Sequence, residues 1–401
     1  MSSPFSLGHS RDYTIETREL LGNKKVVKKL FTPGPLGVSV ATKEAMLQDI
    51  GSREKEFTDT VKLIRQLLLD LANVSPEEFT TVILQGSGTY MLEAVLQSAT
   101  PRDSGQVLVL VNGAYGLRIE KICERVGLPY ESIPFPEGEK VDPQQLELIL
   151  RNKKQQFSTV VVIHCETSTG VINPVKEIGL IVRKYCPGAA YIVDGMSSFG
   201  AIPLDFQDSQ VDYLISSANK CLEGVPGFSF CIARLEHFRK CKGNARSLSF
   251  DLYDQFEEME RTGQFRFTPP THALLAFHHA LMELVEEGGM KARGRRYHAN
   301  CEIIREGMKK LGFKKLVPDA EEYDGFIITS FLNPSDPNFT FDEFYQRLLF
   351  LGQVIYTGKV TQKDTFRIGN IGHLYPEDMN YLLNCIECVL KDMHVAIPVS
   401  Y

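Results

Sequence analysis

The chain of 401 residues has no tryptophan, and none of its apolar runs approaches the roughly 18 residues that a membrane-spanning helix requires. No such helix is expected within it. An excess of either charge is also lacking. Lys plus Arg number 44 against 50 Asp plus Glu, a net charge of −6. A chain this close to balance carries no basic face to neutralise a phosphate backbone, so nucleic acid is not an expected partner. Paired cysteine is lacking too. The nine cysteines (Cys123, Cys165, Cys186, Cys221, Cys231, Cys241, Cys301, Cys385 and Cys388) are odd in number and scattered. They are expected to be reduced thiols in an intracellular, cytoplasmic setting, with an organelle left open. Cys385 and Cys388 form a CxxC, but in a helical pattern with no second pair to complete a zinc site. His272, His278, His279 and His298 are not at ligand spacing with acidic partners, so no metal is expected.

What is present is ordinary globular composition, 43% hydrophobic and 23% charged, in a chain long enough for two domains. The first thirty residues mix Arg11, Arg18, Lys24, Lys25, Lys28 and Lys29 with Asp12, Glu16 and Glu19. They lack the apolar run of a secretory signal, and the acids argue against a transit peptide. Residues 1–30 read as an arm. From about 58 to 285, helical and strand patterns alternate. Strands are expected at 80–84, 106–111, 159–164, 189–194, 211–215 and 228–233, and helices at 60–73, 89–99, 117–126 and 175–185. Continuously apolar strands separated by helices predict an α/β fold, a parallel sheet covered on both faces. Residues 31–285 would form this large domain. Residues 286–401 read as a smaller α+β domain, with strands at 324–332, 354–356 and 365–369 and helices at 340–351 and 376–393.

The polar groups at the strand ends carry the functional reading. Gln85-Gly86-Ser87-Gly88-Thr89 follows a strand and opens a helix. Its glycines allow close approach of an anion, and the first helical amides lack internal partners, so the turn can cup a phosphate. Asn112-Gly113-Ala114-Tyr115-Gly116 offers an aromatic ring at the same kind of turn. His164-Cys165-Glu166-Thr167 ends a strand with hydroxyl and carboxyl groups. Asp194 ends another, and Lys220 follows a further strand 26 positions on. Taken singly, each has a plainer explanation: capping for the acid and the Gly/Ser turn, solvation for the lysine, edge packing for the tyrosine. Together at the carboxyl edge of one sheet, where open α/β sheets bind ligands, they supply an amine for an aldehyde and a carboxylate for a ring nitrogen. Those are the requirements of pyridoxal phosphate.

The chain resembles the class V branch of fold-type I pyridoxal phosphate aminotransferases. The likeness runs from about Phe31 to Leu374. It is carried by Phe31-Thr32-Pro33-Gly34-Pro35, Gly51-Ser52-Arg53, Leu84 to Thr89, His164 to Thr167, Asp194-Gly195-Met196-Ser197-Ser198, Ser216 to Cys221 and Phe366 to Gly372. The resemblance implies a mostly parallel seven-stranded sheet with helices on both faces and a homodimer with its active sites at the subunit interface. It implies that Lys220 condenses with the cofactor aldehyde and shuttles the proton, and that Asp194 pairs with the pyridinium nitrogen. Thr167 would bond the phenolic oxygen, Tyr115 and Met196 would cover the ring faces, and Ser87, Gly88 and Thr89 would hold the phosphate. Asn219 would border the cofactor. Thr268 would reach a neighbour's phosphate. Phe265 stands where some relatives have tyrosine, so that hydroxyl is missing. Arg367 would grip the substrate anion by its planar fork, with Arg53, Thr32 and Gly34 lining the pocket.

The run Gly224-Val225-Pro226-Gly227-Phe228 resembles the phosphonate-using members of this family, and that resemblance implies transamination of 2-aminoethylphosphonate with pyruvate, giving phosphonoacetaldehyde and L-alanine. The alternative within the family is an alanine or serine aminotransferase using glyoxylate or pyruvate. From another class, an inactive homologue serving as a binding protein would have no use for Lys220, Asp194, Thr167 and Arg367 together. The segment 246–261, rich in acids and aromatics, is expected to border the site.

Overall fold

The computed structural model describes residues 28–153, 156–318, 323–358 and 363–401. The expected arm, apart from residues 28–30, lies outside the described residues. Seven strands form one sheet: β1 (Phe79–Gln85), β2 (Val107–Val111), β3 (Tyr130–Pro134), β4 (Thr159–Ile163), β5 (Ala190–Asp194), β6 (Tyr213–Ser217) and β7 (Phe228–Arg234), in spatial order β1-β7-β6-β5-β4-β2-β3. Every neighbouring pair is parallel except the two made by β7. The expected α/β class and mostly parallel sheet are what the structure has. Strands such as Val-Leu-Val-Leu-Val in β2 are buried on both faces because helices cover both sides. Register places Asp194 beside Ile163 on one side and Ile215 on the other. The carboxyl ends of β4, β5 and β6 therefore open on one common edge.

Three features of this domain differ from the sequence reading. The edge strand β3, Tyr-Glu-Ser-Ile-Pro, carries no apolar run because one side of it faces solvent, and its proline falls at the end of the pairing. The helix Pro143–Asn152 was also not expected, although its start is readable: Asp142 caps the Gln144 amide at 2.9 Å and proline takes the first turn. Strand β6 begins at Tyr213 rather than Val211. Asp212, just ahead of it, still donates its amide to the Tyr191 carbonyl at 3.0 Å and accepts the Arg234 amide at 2.7 Å, while its buried carboxylate pairs with Arg183 at 2.5 Å and Arg234 at 3.3 Å and accepts the Tyr191 amide.

A second apolar core is built by the strands Ile328–Leu332, Tyr356–Thr357 and Thr365–Gly369 with the helices Gly289–Lys310, Phe341–Phe350 and Pro376–Asp392. Phe31 is fully buried in it. Lys29–Leu30 pairs in parallel with Gln353–Val354, and the Gly369 amide donates to the Phe31 carbonyl at 2.9 Å. A small cluster that includes Leu36, Cys165, Cys221, Tyr297 and Ile371 lies where the two cores meet. The segment 246–261 contributes a helix, Leu252–Thr262, and packs Phe250, Tyr253 and Phe256 on the large core. None of it is among the residues lining the cavity described next.

Candidate active site

At the carboxyl edge of the sheet lies a cavity of about 290 Å³. Its walls bring together Gly34, Ser87, Gly88, Thr89, Tyr115, Thr167, Asp194, Met196, Asn219 and Lys220, which the sequence reading had taken from six separate segments. Each is placed by a local device. Gly86, at φ +114°, turns the chain out of β1 so that Ser87 and Gly88 open the helix Gly88–Ala99. A Cβ on Gly88 would lie 2.2 Å from the Met196 sulfur. The helix start and Met196 thus approach as closely as backbone permits, leaving the first amides of the helix facing the cavity.

Asp194 ends β5 and is buried. Its Oδ1 accepts the Met196 amide at 2.9 Å. Burial raises its pKa to about 6, against the opposing pull of that hydrogen bond and the charges of Lys220 and Arg118. Such a carboxylate gains most from a cationic partner in the cavity. Lys220 stands in the turn after β6. That turn is closed by the Glu223 amide on the Lys220 carbonyl and the Gly224 amide on the Ala218 carbonyl, both 2.8 Å. The Lys220 Nζ donates to the Pro33 carbonyl at 2.6 Å.

Tyr115 sits in the first turn of the helix Ala114–Val126, and its position depends on two residues that the sequence reading did not assign. Glu166, fully buried, accepts the amides of Tyr115 and Gly116 at 3.2 and 3.4 Å and both the amide and hydroxyl of Ser168. Burial raises its pKa, opposed by these four donors. Arg118 places its guanidinium 4.7 Å from the centre of the Tyr115 ring, donates to the Thr89 hydroxyl at 3.3 Å and lines the cavity. The signal for Arg118 was available: three positions after Tyr115 in a helix is the same face. Cys165, Ser197 and Ser217 also line the cavity.

Arg367 is almost completely buried in the strand Thr365–Gly369. Its Nε donates to the Thr357 carbonyl and one terminal nitrogen to the Thr167 carbonyl, both 2.9 Å. Burial lowers its pKa, and a hydrogen bond to Tyr115 opposes that. It therefore lies directly behind the cavity wall, in contact with two residues that form it. Three expected site residues are elsewhere. Thr32 is buried and uses its hydroxyl to bond the Pro35 carbonyl at 2.6 Å, shaping the loop that carries Gly34. Arg53 and Thr268 are exposed and do not line this cavity.

The residues fit pyridoxal phosphate on their own chemistry. Two missing side chains, at Gly34 and Gly88, keep open a slot that a methyl group would fill. A helix N-terminus with two hydroxyls lies at one side, and a buried carboxylate and an amine line the same slot.

Comparison with known proteins agrees with this geometry. The family described as Aminotransferase class-V matches residues 41–338, about three quarters of the chain. A 2-aminoethylphosphonate–pyruvate transaminase of Bacillus cytotoxicus is 46% identical over 358 residues, covering 89% of this chain and 96% of that protein. One of Phocaeicola vulgatus is 46% identical over 365 residues, 90% and 99% of the two chains. Among solved structures, pyridoxamine–pyruvate aminotransferase from Mesorhizobium loti superposes with a TM-score of 0.83 at 23% identity, over 93% of this chain and 94% of that one. Ureidoglycine–glyoxylate aminotransferase from Bacillus subtilis gives 0.82, also at 23%, over 93% and 95%. At that identity the structures speak for the fold alone; the sequence matches, joined to the cavity around Lys220 and Asp194, show that the chain belongs to the class-V aminotransferases.

Proposed function

We propose that the protein transfers the amino group of 2-aminoethylphosphonate to pyruvate, yielding phosphonoacetaldehyde and L-alanine. The observation that carries the substrate is the 46% identity to transaminases of that specificity along 89% of the chain and 96% of theirs. Class-V aminotransferases use pyridoxal phosphate, and the cavity provides for it. Ser87, Gly88 and Thr89 would hold its phosphate, Asp194 its ring nitrogen and Thr167 its phenolic oxygen. Tyr115 and Met196 would lie against its two faces, with Asn219 at its border. When bound, the cofactor supplies an aldehyde to take up the amino group and a ring that accepts the electrons left by proton removal.

The rest of the chemistry belongs to side chains of this chain. Lys220 takes a proton from the amine-bearing carbon of the substrate and would deliver it to the carbon of the former cofactor aldehyde, moving it the opposite way in the second half-reaction; accepting the proton requires the neutral amine. Arg367 grips the phosphonate in one half-reaction and the pyruvate carboxylate in the other; its fork suits both anions. The loop Thr32–Pro35 positions Lys220, whose amine donates to the Pro33 carbonyl. The working form is a homodimer, in which Thr268, exposed on its own chain, reaches the phosphate site of a second copy. Arg53, likewise exposed, would border the substrate from that side.

The test is a half-reaction screen. Holoenzyme is mixed with 2-aminoethylphosphonate, alanine and serine in turn, and the absorbance band of the bound cofactor is followed. A rapid band change with 2-aminoethylphosphonate supports the assignment. Silence toward it beside a fast response to alanine or serine would reject the substrate and leave an aminotransferase. A sample that shows no band after addition of pyridoxal phosphate would reject the enzyme.

A further inference from the structure

A buried ionic network lies just outside the cavity. Glu223, in the turn that carries Lys220, is only 2% exposed and holds a left-handed backbone, φ +56°, that a side-chain-bearing residue rarely adopts. Its Oε1 lies 2.7 Å from an Arg296 terminal nitrogen, 2.5 Å from the Tyr297 hydroxyl and 3.6 Å from Arg293. Arg293, 1% exposed, donates to the carbonyl of Cys221, the residue after Lys220, at 3.0 Å. Glu287 completes the charge balance, bonding Arg293 at 2.5 Å and Arg296 at 2.8 Å. Two carboxylates therefore neutralise two guanidiniums, with Glu223 and Arg293 fully buried and Arg296 and Glu287 partly so.

The network ends at a second functional segment. The remaining terminal nitrogen of Arg296 donates to the carbonyls of Gly372 and Leu374 at 2.8 and 3.0 Å. These belong to the turn that follows the Arg367 strand. Arg293, Arg296 and Tyr297 all lie on one helix, Gly289–Lys310. One rigid element thus clamps the Lys220 turn with one set of donors and the turn after Arg367 with another. Apolar burial alone would pack these surfaces without fixing their offset. Directional, charge-assisted bonds fix it.

We infer that Glu223 and Arg296 are positioning residues that hold the Lys220 amine and the Arg367 guanidinium at a set separation, so that a substrate gripped at its anion presents its amine-bearing carbon to Lys220. The inference rests on the roles given to Lys220 and Arg367 above. Glu223 serves the proton-moving end and Arg296 the anion-binding end, and neither touches substrate.

The two ends predict different kinetics. In holoenzyme normalised to bound cofactor, Glu223→Gln lowers kcat with 2-aminoethylphosphonate and pyruvate about tenfold and leaves KM near the parental value. Arg296→Lys, which keeps the charge but cannot reach all its acceptors, raises KM about tenfold with a smaller loss of kcat. A merely structural role would lower melting temperature and the cofactor-loaded fraction while leaving kcat per loaded site unchanged. Because loss of a buried charge can prevent folding, Tyr297→Phe removes one bond from the same carboxylate and is expected to lower kcat about threefold. The inference is overturned if the folded variants keep kcat and KM per loaded site within about twofold of the parent. The comparison is run with alanine as well. A parent silent toward 2-aminoethylphosphonate but active with alanine removes the substrate assignment and still reads out Glu223. A parent that takes up no pyridoxal phosphate overturns both.

Discussion

The Lys220 amine donates to the carbonyl of Pro33, 187 positions earlier in the chain, at 2.6 Å. The Phe31–Pro35 segment starts in the second core and ends over the cavity of the first. It also touches the Arg367 strand, since the Gly369 amide bonds the Phe31 carbonyl at 2.9 Å. A single loop therefore stands between the proposed base and the strand of the proposed anion clamp.

Replacing Lys220 with alanine removes the group that moves the proton. Turnover is expected to fall by at least about a thousandfold, the range typical of a lost acid–base group. The variant should still take up pyridoxal phosphate without a covalent link, seen as a free-aldehyde absorbance that dialysis removes. Turnover at the parental rate would remove Lys220 from its role.

Gly34 adopts φ +125°, and a Cβ there would lie 2.6 Å from the Lys220 Nζ. Gly34→Ala therefore combines backbone strain with displacement of the amine. A loss of roughly 1–3 kcal/mol of stability is expected from the strain, together with a drop in kcat. Thermal melting and steady-state rates measure the two separately. An alanine variant with parental melting temperature and rate would mean that the loop yields freely.

Arg367→Ala should cost roughly 2–5 kcal/mol in kcat/KM, the range for losing one partner of a desolvated charge pair. Arg367→Lys keeps the charge but loses the fork, and should recover only part. Initial rates over a range of 2-aminoethylphosphonate and pyruvate concentrations decide it. Equal losses with both substrates fit one anion site used twice. A loss confined to one substrate would place the other anion elsewhere.

Asp194 makes the cofactor-free protein sensitive to pH in a direction opposite to that of a paired carboxylate. Burial raises its pKa from the ordinary 3.8 to about 6, so the folded state binds this proton more tightly than the unfolded state. Below about 4 both states are protonated and there is no penalty. Between about 4 and 6 stability falls, by on the order of 3 kcal/mol at most, and it stays low above that. Denaturant midpoints of cofactor-free protein across this range should show the fall, and Asp194→Asn should remove it. A parental curve that the variant reproduces would contradict the assignment. Bound pyridoxal phosphate, by presenting a cation to the carboxylate, should reverse the trend in the parent.

Eight of the nine cysteines are buried and Cys388 is exposed. Burial pushes the Cys221 thiol up to about 12 and raises Cys165 as well, so neither is a ready thiolate despite lying beside the cavity. A thiol reagent should modify about one cysteine per native chain quickly and all nine after denaturation. Rapid loss of two or more native thiols with loss of activity would indicate an opening at Cys165 or Cys221.

The sequence was most informative where the physics is local. Buried strands such as Val107–Val111 and the amphipathic helix Val175–Tyr185 were readable because continuous or periodic apolar patterns follow directly from which face is covered. The edge strand Tyr130–Pro134 was not, since exposure on one side leaves it without such a pattern. Among site groups, those at strand ends could be found from position alone. Glu166 was missed because it acts through a contact with the Tyr115 amide, 51 positions away, that nothing in its immediate sequence encodes, whereas Arg118 was marked only by its helical spacing from Tyr115.

By itself, then, the sequence determined the α/β class, the order of the strand-end groups and the family, because these are set by hydrophobic patterning and by short turns whose glycines and hydroxyls have few alternative uses. Tertiary structure alone decided which groups meet. It put Pro33 over Lys220, drew Phe31 into the C-terminal core, turned Arg367 inward against Thr167, and left Arg53 and Thr268 outside the cavity. Those outcomes depend on how two separately buried cores dock. Docking is fixed by long-range hydrogen bonds and ion pairs such as Glu223 with Arg296, which join residues 73 positions apart and leave no periodic trace in the chain.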